Sequence, residues 1–351
     1  MEVGANLLSA GGAIVMALYA LEYRALVLRP VMAASLVAFG AWVRCRWVPG
    51  RPTMSTGAWD MLRQGFHSAG FFVTDYIGGA SDRIAIGYRS GAIQLGYYQN
   101  AMFIYENLCA LLVLSAHNVA VATLVKTRNS INELRRLWRT ALSMLAFFAM
   151  PAFGILAVTG QDLIVMMFGT KWSQAGVLIS IIALRGIPQS VERTTGWLHV
   201  TAGRTDRWMR WGFIALCAQL TALFCGIPYG PTGVAIAFVV CSFIMFIPAI
   251  AYSGQPFGIN APDVIKVVWR PLTGALLAVA MGFALRFTIL AEWSAILRIV
   301  VLAAVYLSTY LIVVVLCFGE RLPIQVVFAM FGDALPVRLA RNMRSGAPPN
   351  V

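Results

Sequence analysis

Charge is scarce in this chain. Only 12% of its 351 residues are Asp, Glu, Lys or Arg, about half the roughly 25% of a soluble domain. The deficit runs along the whole length, so no soluble domain is long enough to house separate catalysis. Histidine is scarcer still, with three residues, at 67, 117 and 199. They lie far apart, and no H-E-x-x-H, G-x-S-x-G or Walker sequence occurs, which excludes an ATP-driven pump on this chain and leaves no catalytic constellation. The six cysteines, at 45, 109, 217, 225, 241 and 317, sit in or beside apolar segments. With no C-x-x-C pair and no Cys/His cluster, neither a disulfide framework nor a metal site is expected, and no cofactor is implied.

Apolar residues fill the space that charge leaves. They make up 60% of the chain, and the mean hydropathy is +0.76. The apolar runs are long and continuous rather than alternating, which favours spanning helices over a β-barrel. About ten segments are expected at 4–22, 26–43, 64–86, 99–124, 138–158, 174–200, 209–227, 232–252, 268–288 and 295–318. The fold class is therefore all-α, a polytopic membrane helical bundle. The first stretch, Val3 to Leu21, has Glu2 and no Lys or Arg before residue 24. It reads as a span beginning almost at the first residue rather than as a signal peptide.

The formal charge of +13 does not point to nucleic acid, because the basic residues punctuate the apolar runs instead of clustering in a groove. Most fall in the loops after the second, fourth, sixth and eighth segments and in the tail. By the positive-inside rule both termini are cytoplasmic. The most basic stretch, 126–139, has Ile131, Leu134, Leu137 and Trp138 at helical spacing. An amphipathic helix lying on the inner surface is expected there, with a solvated basic loop as the alternative. Gly226-Ile-Pro-Tyr-Gly-Pro-Thr-Gly233 is expected to be a tight outer hairpin, and the tail beyond 336 to be disordered.

Ionisable residues inside apolar segments are costly and usually face a cavity or a partner. In the third segment His67, Phe71, Asp75, Gly78 and Asp82 fall on one helical face, as expected of a water-lined wall. Asp82-Arg83 could equally close a helix at the outer interface. In the sixth segment Arg185, Gln189 and Glu192 share a face, with Arg193 beside it and Pro188 expected to kink the helix. An internal Arg185–Glu192 pair is the bland alternative. The fourth segment carries Asn100, Glu106, Asn107, His117 and Asn118. Glu106 is either a proton-coupling carboxylate or the counter-ion of an arginine on a neighbouring helix.

The order of these features resembles a known family. Asp82-Arg83-x-x-Ile86-Gly87, Gly91-Ala92 and Leu95-Gly96-Tyr97-Tyr98 are similar to the motif after the first C-terminal-lobe helix in polysaccharide (Wzx-type) flippases of the MOP exporter superfamily. Phe168-Gly169-Thr-Lys171-Trp172, Ala202-Gly203-Arg204-Thr-Asp206 and Gly230-x-x-Gly233-Val-Ala-Ile-Ala237 resemble three further elements of that family, in the right order. The resemblance covers roughly residues 15 to 320. It implies two six-helix lobes, often followed by two more helices.

Counted back from Asp82, two helices (1–50) precede a MATE-like C-terminal lobe (51–255). Two additional helices (256–320) and a cytoplasmic tail (321–351) follow. The chain so read lacks the first four helices of the N-terminal lobe.

The resemblance further implies an inner-membrane flippase. It would translocate an undecaprenyl-diphosphate-linked oligosaccharide for exopolysaccharide or lipopolysaccharide assembly by alternating access. Arg83, Arg89, Arg185, Gln189 and Arg193 are the expected substrate contacts, since guanidinium groups bind phosphate in bidentate fashion. Asp75, Asp82, Glu106 and Glu192 would balance charge or couple an ion gradient. Membrane lipids and polysaccharide polymerase machinery are the implied partners. A MATE-like cation or drug exporter would need a more acidic cavity, a membrane enzyme a longer outer loop. A non-functional flippase fragment is the remaining alternative.

Overall fold

The computed structural model describes residues 2–18, 22–45, 58–114, 120, 124, 125, 127, 130–290 and 292–319. His117, Asn118 and the 321–351 tail, on which expectations fell, lie outside them. The described residues are almost entirely helical, and the chain divides into two compact units, Met1–Asp60 and Met61–Val351.

In the first unit α1 (Glu2–Leu18) packs on α2 (Glu22–Cys45). The fit is close enough that a Cβ at Gly12 would stand 2.6 Å from the Met32 methyl. Pro30 lies in the second of these helices without ending it.

The second unit begins within a helical stretch, Ala58–Cys109, broken at Gly91 with φ 83 and ψ 172. Essentially only glycine adopts that conformation. Two arms result, α3 (58–90) and α4 (92–109). Residues 82 and 98 would lie about 24 Å apart on one straight helix. Instead the Tyr98 hydroxyl bonds the Asp82 carboxylate at 2.8 Å, so the chain reverses at Gly91. The separate loop expected between segments three and four is thus a hairpin without a loop. Asp82-Arg83 is not a helix end either: its helix continues for two further turns. A π-type turn, Ala110–Leu114, follows α4.

The next helix, α5 (Ile131–Phe168), has 38 residues and a length of about 57 Å at 1.5 Å per residue. That exceeds the roughly 30 Å hydrocarbon layer. Leu134 and Trp138 in its first turns are fully buried. Of the surface helix expected at 126–139, residues 131–139 are instead the inward-packed start of α5, because Leu134 and Trp138 find protein rather than lipid, although Ile131 stays exposed. The helix ends at Gly169, φ 87, before a short turn, Thr170–Trp172.

Beyond that turn, α6 (Ser173–Glu192) runs through Pro188 and is interrupted only at Arg193–Thr194, after which α7 (Thr195–Ala202) follows. A left-handed Gly203 leads into α8 (Thr205–Gly226). The expected hairpin then joins α8 to α9 (Gly230–Gly254). A Cβ on Gly226 would sit 2.6 Å from the Gly233 carbonyl oxygen, so the two backbones touch. The last helices are α10 (Ala261–Phe287) and α11 (Ala295–Leu311), the latter extended by a π-type turn, Ile312–Cys317.

Helix α5 is central. It packs on α6, α10 and α11, while α9 packs on α6 and α8. Small residues allow these approaches, as membrane helix interfaces favour. Gly186 backs on Phe153, and Gly176 on the Gln161 backbone. Six helical runs among the described residues are long and apolar enough to cross a membrane, one of them holding both α8 and α9. The α3–α4 hairpin is not among them, because Gln, Asn, Gly, Ser and Tyr as well as charged residues dilute its apolar character.

Candidate functional site

The polar face of the α3–α4 hairpin meets α6. Asp82 on α3 is 1% exposed. Its carboxylate accepts the Tyr98 hydroxyl at 2.8 Å and the Arg83 backbone N–H at 2.6 Å. Arg83, half-buried, pairs with Glu106 across the hairpin. The counter-ion alternative for Glu106 is therefore the one the structure takes, and its partner stands on the adjoining arm. Deeper along α4, the Tyr105 hydroxyl donates to Gln189 Oε1 on α6, and its ring lies 5.6 Å from Phe153 on α5.

Arg185, one turn from Gln189, has the most unusual surroundings. Its guanidinium carbon lies 5.1 Å from the centre of the Phe238 ring on α9, a cation–π contact. Its Nε is shielded from solvent and has no hydrogen-bond partner. Among the described residues the guanidinium makes neither a hydrogen bond nor an ion pair. Tyr105, Tyr98, Asp82 and Glu192 lie within its electrostatic reach. The expected Arg185–Glu192 pair does not form, because seven residues of helix separate the two groups along the axis. A half-buried guanidinium packed on a ring face can take an anion without first losing a carboxylate partner.

Other expected site residues are placed differently. Glu192 is half-buried and electrostatically close to Asp75, which is itself exposed on α3. Arg193 is exposed at the α6–α7 interruption. Arg89 is exposed in the last turn before Gly91 and joins none of these groups. The stripe 67, 71, 75, 78, 82 is not a single wall. Phe71 stacks on Trp208 of α8 at 4.3 Å. Gly78 backs on Gln219, and Thr74 on Gly212. Gly70, Thr74 and Gly78, four residues apart, form a small-residue packing seam of the kind that brings membrane helices together. Phe71 and Gly78 of the stripe are thus taken up by α8, while half-buried His67 and exposed Asp75 are not, and Asp82 faces Tyr98.

Sequence reasoning missed Tyr98, Tyr105 and Phe238, which frame Arg185. Tyr98 closes the Leu-Gly-Tyr-Tyr motif, so its position was visible but its bond to Asp82 was not. A second charged cluster was also missed. Asp162 on α5, 3% exposed, is bracketed by Arg286 on α10 at 3.0 Å and Arg298 on α11 at 2.6 Å. Arg286 also donates to the Val158 carbonyl at 2.6 Å and to Gln161 at 2.9 Å. Both arginines read as loop charges in the sequence; the structure makes them the clasp between α5 and the last two helices. Among the described residues no group of His, Cys, Asp and Glu side chains could hold a metal ion.

Comparison with known proteins bears on this geometry. A family model described as "Polysaccharide biosynthesis protein" matches residues 1–176. The teichuronic acid biosynthesis protein TuaB of Bacillus subtilis (strain 168) is 23% identical over 290 residues, covering 81% of this chain and 60% of that protein. The chain thus spans about three fifths of the length of that curated relative. Among solved structures, the lipid II flippase MurJ in its inward closed conformation superposes with a TM-score of 0.62. That match has 16% identity and covers 91% of this chain and 68% of that one. The chain belongs to the polysaccharide biosynthesis protein family and has a MurJ-like flippase fold, as its four motifs led one to expect.

Proposed function

We propose that this protein translocates an undecaprenyl-diphosphate-linked oligosaccharide across the bacterial inner membrane, for exopolysaccharide or lipopolysaccharide assembly. It acts as a transporter rather than an enzyme, with both termini in the cytoplasm. The observation that carries this reading is Arg185, a half-buried cation without a carboxylate partner, framed by Tyr98, Tyr105 and Phe238. A diphosphate supplies the missing anion, while the two phenols stay bonded to Asp82 and Gln189 beside it. Arg83, paired with Glu106, and exposed Arg193 are accessory contacts. Glu192 and Asp75 are the carboxylates that balance charge or carry a coupling ion, because neither is tied into an ion pair. Family membership supports the substrate class, and an arginine at 185 on an aromatic face weighs against the predominantly acidic cavity that a cation exporter would need. Residues 51–255 form the working lobe, and polymerase machinery would receive the product.

The test is complementation of a strain lacking its own flippase, with surface polysaccharide as readout. Arg185→Ala should abolish export, and Arg83→Ala and Arg193→Ala should reduce it. Intact export from the triple variant at wild-type protein levels would overturn the proposal.

A further inference from the structure

At one end of the second unit the first turns of α5 and α10 lie side by side. Arg139 on α5 pairs with Asp263 on α10 at 2.6 Å, and Arg135 donates to the Phe257 carbonyl at 2.5 Å. Asp263 also caps its own helix by accepting the Asn260 backbone N–H at 3.2 Å. The carboxylate at this junction is therefore fully used, and positive charge is left over. Arg136 lies one turn nearer the α5 start than Arg139. Lys266 lies one turn further along α10 than Asp263. Both are exposed, and among the described residues neither side chain makes a hydrogen bond or an ion pair. Glu133, one turn before Arg136, forms no ion pair with it.

The surroundings of Lys266 are those of a membrane interface. Ile265 beside Lys266 is 45% exposed, and Trp269, one turn on, is 39% exposed. The Trp269 ring packs on Phe318 at 4.7 Å. Tryptophan next to basic residues marks the headgroup level, and basic clefts between helices there select acidic lipids. We infer that Arg136 and Lys266 hold the phosphate of an anionic bilayer phosphoglyceride, with its acyl chains along Ile265 and Trp269. In register along the two helices these residues flank the Arg139–Asp263 pair, whose carboxylate is already taken by Arg139 and the Asn260 backbone N–H and does not compete for them. A zwitterionic headgroup carries its own cation and would be held less well. This site is independent of the substrate reading and of Arg185.

Purified full-length chain in mild detergent, mixed with phosphatidylglycerol or phosphatidylethanolamine, tests the inference by native mass spectrometry. Wild type should retain phosphatidylglycerol preferentially. Each alanine substitution at Arg136 or Lys266 should lower retention roughly fivefold, and the pair roughly twentyfold, the scale of one basic residue near an anionic surface. Arg136→Lys with Lys266→Arg should restore it, which separates charge from folding. Arg210→Ala, on α8, should have no effect. Equal retention in the double variant would overturn the proposal. So would equal retention of the zwitterionic lipid, or full competition by glycerol phosphate alone.

Discussion

The Tyr98 hydroxyl reaches the buried Asp82 carboxylate at 2.8 Å, although the two residues lie sixteen apart on a single helical stretch. Their contact is possible only because Gly91 turns the chain back on itself. One polar bond thus fixes the register of the two arms that carry Arg83 and Glu106.

That bond gives a double-mutant prediction. Asp82→Ala leaves the buried phenol without its acceptor, and Tyr98→Phe leaves the carboxylate with one donor fewer. Each single change should cost about 1–3 kcal/mol. The double change should cost clearly less than the sum, since the orphaned partner is gone as well. Thermal unfolding of the four proteins in one detergent measures the coupling. Strict additivity would mean that the hydrogen bond does not hold the arms.

Glycine substitutions should fall in a set order. Gly91→Ala meets no atom within 4 Å but must adopt φ +83, which costs about 1–3 kcal/mol. Gly226→Ala drives its methyl into the Gly233 backbone, an overpacking that costs typically about 1–3 kcal/mol and occasionally more. Gly96→Ala, helical and with open space beside it, should stabilise by about 0.5–1 kcal/mol. Unfolding midpoints should therefore rank Gly96→Ala above wild type and the other two below it. A Gly91→Ala protein as stable as wild type would show that the turn can form elsewhere.

What the sequence revealed and what it hid follow from the range of the interactions. Apolar continuity is local, so the helices from Thr205 onward and the Gly226–Gly233 hairpin were legible, to within a few residues except at the start of α10. That helix begins at Ala261 rather than 268, and the Asp263, Lys266 and Arg270 carried by its first turns hid its start. The reversal at Gly91 was less so, because a glycine between apolar segments ending at 86 and starting at 99 reads first as part of a loop, not as the turn of a continuous helical hairpin. Only the Tyr98–Asp82 bond decides. The stripe from His67 to Asp82 was correctly placed on one face, but periodicity cannot say whether a face meets water or another helix. The glycines that suggested a cavity wall are the ones that admit α8. Arg286 and Arg298 were hidden for a related reason. Each sits near a helix end, where a basic residue normally reports topology, and their shared partner Asp162 lies more than a hundred residues away.

That triad makes a strong prediction about the last two helices. Removing one member of a buried ion cluster typically costs about 3–5 kcal/mol, because the others are left uncompensated. Asp162→Asn leaves Arg286, 7% exposed, facing Arg298, 19% exposed. It should be the most damaging single change. Arg298→Met should be milder, because Asp162 keeps Arg286. Hydrogen exchange should show the loss first in α10 and α11, with the α3–α4 hairpin still protected. Uniform loss of protection across all helices would mean that the cluster holds the whole unit and not the clasp alone.

Arg185 should separate function from stability. Its guanidinium has lost water contacts at Nε and gained only a ring face in return, so the folded protein derives little from its charge. Exchanging a buried, unpaired cation for an apolar side chain of similar volume is often neutral or stabilising. Arg185→Met should therefore unfold no earlier than wild type while abolishing polysaccharide export. Arg185→Lys should keep part of the export, since a point charge attracts an anion but cannot grip it in bidentate fashion. A strongly destabilised Arg185→Met protein would instead assign Arg185 to the scaffold, and the anion site would have to be sought at Arg83 and Arg193.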